Sequence, residues 1–199
     1  MSPKPNVSHI RVPQIMQAAL NVLGKKGLAD TTMDDIAAEA NLSKATIYLY
    51  FKSKGEMLDA ILQFYYEEVF GSLDEIAEKH SSSARERLSF GVQTGARKIA
   101  SMRRSMRVVY DLYSYAMRRP KAKKYLRDRF RKNCDEMAKL IDLGIEQGEF
   151  RKVDSRKIAT LLATAYEGMV TVNLLYDDQF SWQETADSLL DIYLTAITV

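Results

Sequence analysis

Residues 32–54 carry a hydrophobic pattern that predicts two short helices and the start of a third. In TMDDIAAEANLSKATIYLYFKSK the apolar positions recur at helical spacing, first at Ile36, Ala37 and Ala40 and then at Ile47 and Phe51. A capping signal precedes each helix: Thr32 with Asp35, Ser43 alone, and Ser53 with Glu56. Asn41 stands where the first helix must end, and asparagine tolerates the left-handed conformation found there. The pattern therefore predicts a helix-turn-helix followed by a longer helix.

The exposed side of the second helix suits contact with DNA, because the second helix of such a pair lies in the major groove. Lys44 can donate to guanine edges or to phosphate, while Ala45 and Thr46 can contact a thymine methyl group. The hydroxyls of Tyr48 and Tyr50 can bond phosphate oxygens. We expect the DNA contacts to come from eight residues: Thr32, Ser43, Lys44, Ala45, Thr46, Tyr48, Tyr50 and Lys54.

A wider set of residues carries a resemblance to a known family: Ile15, Ala18, Ala19, Leu20, Gly27, Thr32, Asp35-Ile36-Ala37, Ala40, the block Ser43–Phe51, and Lys54. With these residues the stretch Ile15–Leu58 resembles the N-terminal domain of the TetR family of transcriptional regulators. The resemblance implies a homodimeric repressor that binds a near-palindromic site in double-stranded DNA and is released by a small-molecule effector. Two alternatives stay open: an activator, or a DNA-binding adaptor that a partner protein controls. The adaptor would have a packed second domain without a cavity.

Helical periodicity extends over the rest of the chain. Pro13 departs from the family pattern and predicts that the first helix starts near Val12, since proline is tolerated in a first turn. That helix should end at Lys26, before Gly27, and leave residues 1–12 as a flexible arm. Further helices are predicted at 54–79, 84–100, 103–117, 121–147, 154–176 and 182–197. The predicted fold is all-α with about nine helices: a helix-turn-helix DNA-binding domain at 1–53, and an effector-binding and dimerisation domain at 54–199.

Composition and charge narrow the class of protein. Hydrophobic residues make up 46% of the chain and charged residues 28%, which is ordinary for a globular protein. No apolar run is long enough to span a bilayer, the N-terminus shows no signal-peptide core, and there is one cysteine, Cys134. We therefore expect a cytoplasmic protein without a membrane partner.

The positive charge is concentrated in one block of the chain. Residues 97–132 carry 14 basic and 2 acidic side chains. The block is either a solvated surface, a site for an anionic effector near Arg103, Arg104 and Arg107, or added attraction towards DNA.

Three stripes of methionine, aromatic and aliphatic residues lie at helical spacing in the second part of the chain. Core packing explains such stripes in most cases, although methionine-rich faces also adapt to varied ligands. Pockets between the helices of a bundle are common ligand sites, and the resemblance favours one here. The candidates for binding a hydrophobic or anionic effector are Met102, Met106, Tyr110, Tyr113, Met137, Ile141, Tyr166, Met169 and Asn173.

The last two predicted helices are apolar over wide faces and include small residues that permit close approach. The resemblance implies that these helices pair with their copies to form a four-helix dimer interface. The residues expected there are Leu161, Ala165, Gly168, Val172, Leu189 and Tyr193.

Catalysis has little support in the sequence. His9, His80 and Cys134 lack the spacing of metal ligands, and no glycine-rich phosphate loop or nucleophile motif is present. We expect no catalytic residue, no metal site and no cofactor, and hence no enzyme.

Overall fold

The computed structural model describes residues 8–70, 83–101, 106–175 and 181–199, and within these ranges every regular element is an α-helix. The helices are α1 (Ser8–Asp30), α2 (Met33–Glu39), α3 (Lys44–Tyr50), α4 (Lys54–Phe70), α5 (Ala84–Ser101), α6 (Met106–Met117), α7 (Pro120–Glu146), α8 (Ser155–Leu175) and α9 (Trp182–Ile197). A single antiparallel bridge joins Phe150 to Thr198. The predicted all-α class is confirmed, and the described part of the chain holds nine helices.

The helices α5 to α9 agree closely with the predicted ranges. The end of α5, the start of α6 and the end of α8 adjoin residues outside the described ranges. The other ends fall within about one residue of the predicted ones, because apolar periodicity and capping residues are local signals. The predicted 54–79 helix is described as far as Phe70, and its expected continuation lies outside the described residues.

The first helix differs from its prediction at its start. It begins at Ser8, so Pro13 lies inside the helix, and the expectation of a start near Val12 and of a flexible arm through residue 12 was wrong. Proline removes one backbone hydrogen bond, but the ring of Pro13 is exposed and the buried face of the helix is unaffected. Residues 1–7 of the expected arm lie outside the described residues.

The predicted end of this helix coincides with a break in its backbone geometry at Gly27, although helical residues continue to Asp30. Gly27 has φ of 76° and ψ of 169°, values that break the helical geometry between Lys26 and Leu28. Glycine takes this left-handed φ without the clash that a Cβ atom would cause.

Contacts divide the chain into two units, each with its own core. The first unit comprises Met1–Tyr66 and Arg104–Ala122, and therefore holds α1 to α3, α4 as far as Tyr66, and α6. The second comprises Glu67–Arg103 and Lys123–Val199, and holds α5, most of α7, α8 and α9. This packing groups α6 with the helix-turn-helix, whereas the predicted domain boundary at residue 53 placed it with the effector-binding part.

Each core is built from the apolar faces of its helices. Fully buried side chains of the first unit include Ile15, Leu23, Ile36, Ile47, Ile61 and Leu112. The core of the second unit includes Leu88, Ile141, Phe150, Leu162, Leu190 and Ile197. Burying one such side chain stabilises a fold by about 1.5–3 kcal/mol before entropy is counted, so these faces hold the helices in place.

Candidate nucleic-acid interface and effector cavity

The helix-turn-helix is closed by the hydrogen bonds that its sequence predicts. The Thr32 Oγ1 atom accepts the backbone N–H of Asp35 at 3.2 Å, and the Asp35 carboxylate accepts the backbone N–H of Thr32 at 3.0 Å. Asn41 has φ of 53°, which turns the chain between α2 and α3. Ser43 then caps α3 by accepting the backbone N–H of Thr46 at 3.1 Å. The two helices therefore hold their relative direction through local bonds.

The carboxylate of Asp35 stays ionised over a wide pH range. The ammonium group of Lys26, with further hydrogen bonds from Thr32, lowers the pKa of Asp35 to about 2. Since the charged form is the one that accepts these bonds, the cap at the start of α2 persists in mild acid.

Two faces of α3 are clearly separated. Ile47 is fully buried and Phe51 is 6% exposed, so this side of the helix packs against the first unit's core. Lys44, Ala45, Tyr48 and Leu49 are exposed, and Thr46 and Tyr50 are half-buried. Leu49 is 83% exposed and was not among the predicted contact residues. The exposed face is therefore free for a partner, as a recognition helix requires.

The lysines among the predicted DNA contacts already have partners within the protein. The Lys44 ammonium lies 2.8 Å from the Asp34 carboxylate, which raises the pKa of Lys44. The Lys54 ammonium donates to the backbone carbonyl of Leu28 at 2.8 Å. A phosphate contact by either lysine therefore requires it to leave or share its present partner.

Helix α6 is bonded through polar side chains to α1 and α4, the helices that flank the helix-turn-helix. The backbone N–H of Leu28 donates to the Asp111 carboxylate at 3.0 Å. The Tyr115 hydroxyl lies 3.0 Å from both the Gly55 carbonyl and the Asp59 carboxylate. Burial, together with Asp59, raises the pKa of Tyr115 and keeps its hydroxyl a donor. These bonds connect α6 to the start and end of the segment that carries α2 and α3.

The second unit contains a cavity of about 160 Å³ between α5, α7 and α8. Its walls are mainly apolar, with a few polar side chains, and are formed by Arg87, Leu88, Gly91, Val92, Gly95, Phe130, Asn133, Glu136, Met137, Leu140, Leu162, Ala163, Tyr166 and Glu167. Concave, mostly apolar sites between helices commonly bind small molecules.

Two of the predicted effector residues, Met137 and Tyr166, line the cavity. Ile141 is fully buried in the core of the second unit, and Met169 is also buried without lining the cavity. Tyr110 and Tyr113 belong to the first unit, where the Tyr113 hydroxyl forms a short hydrogen bond with Tyr66. Periodicity grouped these residues by helix face, but it cannot tell which faces meet around one space.

Three predicted effector residues cannot be placed at the cavity. Met102 lies outside the described residues, as do the side chains of Met106 and Asn173. The arginines proposed to hold an anionic effector, Arg103, Arg104 and Arg107, are outside the described side chains as well.

Polar lining residues were the ones that sequence reasoning missed. Arg87, Asn133, Glu136 and Glu167 line the cavity, but they resemble ordinary surface positions in the sequence. The Glu136 carboxylate forms an ion pair with Lys132 at 3.3 Å, one turn earlier on α7. Gly91 and Gly95 of α5 were a usable sequence signal for the cavity. They lie four residues apart on one face of the helix, and the missing side chains leave space beside it.

The Tyr166 hydroxyl is a polar group within this apolar surrounding. It is buried and finds no hydrogen-bond partner among the described residues. Burial, helped by the neighbouring Glu167, raises the pKa of Tyr166, so the hydroxyl stays protonated. An unsatisfied buried hydroxyl costs free energy, and a bound molecule with a hydrogen-bond acceptor or donor would recover it.

The predicted dimer residues lie on partly uncovered faces of α8 and α9. Leu161 is 59% exposed, and Gly168 and Val172 are also exposed. Ala165, Leu189 and Tyr193 are half-buried, and Ile192 on α9 is 65% exposed. Large aliphatic side chains are therefore left open on both helices.

No group of histidine, cysteine and acidic side chains among the described residues is arranged to hold a metal ion. No described helix combines the length and apolar character that crossing a membrane requires.

The fold and the exposed α3 face define a helix-turn-helix protein with a cavity in its second unit. The family model for bacterial regulatory proteins of the TetR family matches residues 15–61, and the model for the C-terminal part of BetI-type transcriptional repressors matches residues 84–199. This chain belongs to the TetR family of transcriptional regulators. The resemblance predicted from Ile15–Leu58 is thereby confirmed.

Individual relatives support the same assignment. An uncharacterized HTH-type transcriptional regulator of Bacillus subtilis, YfiR, is 30% identical over 187 residues, which cover 90% of this chain and 88% of that protein. The structure is similar to a TetR transcription regulator from Haloarcula marismortui, with a TM-score of 0.84 at 23% identity over 96% of this chain and 100% of that one. It is also similar to a transcriptional regulator from Saccharomonospora viridis in complex with choline, with a TM-score of 0.83 at 24% identity over 96% of this chain and 99% of that one.

Proposed function

We propose that this regulator is a homodimeric repressor, located in the cytoplasm, which an effector bound in the second unit's cavity releases from a near-palindromic operator. The observation that carries the proposal is the 160 Å³ cavity in a chain whose α3 presents an exposed face. The match of residues 84–199 to BetI-type repressors supports repression over activation. The cavity also favours a small-molecule effector over control by a partner protein, for which a packed second unit was expected.

For DNA binding we propose the eight residues predicted from the sequence, with Lys44, Tyr48, Tyr50 and Lys54 making the main contacts. Lys44 stands in the first turn of α3, where side chains reach base edges. The Tyr48 side chain is 43% exposed and can donate to a phosphate, which carries no sequence information. Thr32 and Ser43 lie at the starts of α2 and α3, near the backbone of a bound duplex.

The different roles of Lys44 and Tyr48 can be separated with a panel of mutated operators. Tyr48→Phe should weaken binding to all sequences by a similar factor, because it removes a phosphate contact. Lys44→Ala should also alter the preference among sequences, because it removes a base contact. Fluorescence anisotropy on each operator measures both effects, and parallel losses for the two variants would contradict the assignment.

The effector should be a small molecule with a mainly apolar body. Pockets for drug-sized ligands measure roughly 300–1,000 Å³, so a cavity of 160 Å³ accepts a smaller compound. The similar regulator from Saccharomonospora viridis was crystallised with choline, which makes choline a suitable first probe. Phe130 and Tyr166 offer aromatic surfaces to such a cation.

A substitution that fills the cavity tests the effector site. A Cβ atom at Gly91 would meet no atom within 4 Å, so Gly91→Leu should place its side chain in the cavity without disturbing the fold. We expect Gly91→Leu to bind operator normally while compounds that release the wild type, choline first, lose their effect. Gly91→Ala is the control that should keep most of the response. Release of Gly91→Leu and the wild type at the same effector concentration would refute the site.

Ligand binding would act by shifting an equilibrium between two dimer conformations. The apo dimer would hold two α3 helices about 34–36 Å apart, one DNA turn, as adjacent major grooves require. An effector that binds more tightly to a conformation with a different distance between the two α3 helices lowers operator affinity. The factor is at most the ratio of its affinities for the two conformations.

For the dimer interface we propose the faces of α8 and α9 that carry Leu161, Ala165, Gly168, Val172, Leu189 and Tyr193. Leu161→Glu combined with Ile192→Glu should yield monomers, because charges would replace exposed aliphatic side chains on both helices. Leu49→Glu is the control, since Leu49 is also aliphatic and exposed but lies on α3. Sedimentation velocity distinguishes the variants; a dimeric double variant would place the interface elsewhere.

A further inference from the structure

The turn between α6 and α7, together with the first turn of α7, carries three basic side chains that the helix-turn-helix does not account for. We call Arg118, Arg119 and Lys121 the basic turn; all three are exposed and belong to the first unit. They are part of the positive block 97–132 that stood out in the sequence. Among the described residues neither Arg118 nor Arg119 has a carboxylate partner, and the Lys121 ammonium lies 3.8 Å from Asp59. The turn is therefore a concentration of positive charge with little internal compensation.

The basic turn lies beside the residues that follow α3. The guanidinium of Arg119 rests on the ring of Tyr115, 5.3 Å from its centroid. Its two terminal nitrogens are each 3.6 Å from the position that a Cβ atom on Gly55 would occupy. The Tyr115 hydroxyl donates to the carbonyl of the same Gly55. Arg119 therefore lies over the ring of Tyr115 and beside the first turn of α4.

The first turn of α4 adjoins the exposed face of α3 along the chain. α3 ends at Tyr50, and the exposed Lys52 leads to α4, which starts at Lys54. When α3 lies in a major groove, the segments at its ends face the sugar-phosphate strands that border the groove. Arg119, beside Gly55, therefore lies next to the segment that follows α3 and carries the exposed Lys52, so exposed positive charge continues beyond the helix-turn-helix.

We propose that the basic turn contacts the phosphate backbone of operator DNA and extends the interface beyond the helix-turn-helix. The contacts are made by Arg118 and Arg119, whose guanidinium groups match phosphate oxygens in geometry and charge. They add affinity without sequence preference, because a phosphate is the same at every base pair. The inference rests on the proposed binding of operator DNA by α3.

The test is the salt dependence of operator binding by the dimer carrying Arg118→Gln and Arg119→Gln. Removing one phosphate contact should reduce the slope of log K against log salt by about 0.9, so removing two should reduce it by about 1.8 per protomer. Operator and unrelated DNA should lose affinity by the same factor. The control is Arg151→Gln with Lys152→Gln, which removes the same charge from two exposed positions of the second unit. The control should keep the wild-type slope.

A further variant separates the effect of charge from the effect of packing, since Arg119 also packs on Tyr115. Arg119→Lys keeps the positive charge and should retain most of the slope of log K against log salt. Arg119→Gln should reduce that slope by about 0.9 per protomer, the contribution of one phosphate contact. If the wild type binds operator and the Arg118→Gln, Arg119→Gln dimer shows the slope of the control, the inference is overturned. If the wild type itself shows no operator binding, the proposed function has failed instead, which is a different result.

Discussion

Gly144→Ala is the substitution for which the structure predicts the largest effect from the smallest change. Gly144 lies in the last turn of α7, which ends at Glu146, and the chain folds back beyond it. The backbone N–H groups of Glu149 and Phe150 donate to the Gly144 carbonyl at 2.9 and 3.0 Å. The reversal places the buried ring of Phe150 directly over Gly144. A Cβ atom there would lie 2.2, 2.4 and 3.0 Å from three ring carbons.

The magnitude follows from how little the ring can move. Ordinary contacts of a Cβ atom lie at 3.4–4 Å, so the ring must shift by more than 1 Å. Phe150 is 2% exposed and packs in the core of the second unit, so a shift of its ring displaces neighbouring side chains. Overpacking costs up to about 3 kcal/mol, and the better helix propensity of alanine returns about 1 kcal/mol. The net loss of about 2 kcal/mol corresponds to a fall in Tm of roughly 4–8 °C for a chain of this size.

Thermal unfolding at one fixed protein concentration measures the effect, since the stability of a dimer depends on concentration. Gly91→Ala is the matched control: it adds the same methyl group to a helix where nothing lies within 4 Å, and Tm should rise slightly. In the double variant Gly144→Ala, Phe150→Leu, the smaller leucine side chain should relieve the overlap with the new methyl group. The fall in Tm of the double variant should therefore be smaller than the sum of the falls of the two single variants. A wild-type Tm for Gly144→Ala, or strictly additive losses, would refute the packing argument.

Two further predictions concern charge. Asp34→Asn should strengthen operator binding, because it frees the Lys44 ammonium and removes a negative charge beside α3. Fluorescence anisotropy measures the gain in affinity. The control Asp30→Asn makes the same change at another exposed position and should give no comparable gain. Glu149 accepts a backbone N–H and a hydroxyl at the start of α5, which lowers its pKa below the ordinary 4.5. The stability it adds is therefore present above pH 4.5 and lost as the pH falls through the lower folded pKa. Urea unfolding should show Glu149→Gln less stable than Glu146→Gln at neutral pH, with the difference vanishing in acid; a difference independent of pH would argue against this role.

Local signals in the sequence predicted the helix-turn-helix residue by residue. The bonds between Thr32 and Asp35, the left-handed turn at Asn41 and the Ser43 cap all connect residues within three positions of each other. Interactions of this range depend on residue type and spacing, which a sequence displays directly. The same holds for the break at Gly27 and for the ends of most helices. The start of α1 was missed because a helix with a well-packed face tolerates one proline on its exposed side.

The tertiary structure decided which helix faces meet. The stripe on α6 looked like part of an effector pocket, but Asp111 and Tyr115 bind that helix to α1 and α4, which flank the helix-turn-helix. The cavity brings together residues far apart in the chain, such as Gly91, Met137 and Tyr166, around a space that exists because glycine leaves it unfilled. Periodicity reports which side of a helix is apolar, while the partner of that side depends on the packing of the whole chain. The sequence by itself therefore determined the helices, their caps and the exposed face of α3, and long-range packing determined the cavity and the position of α6.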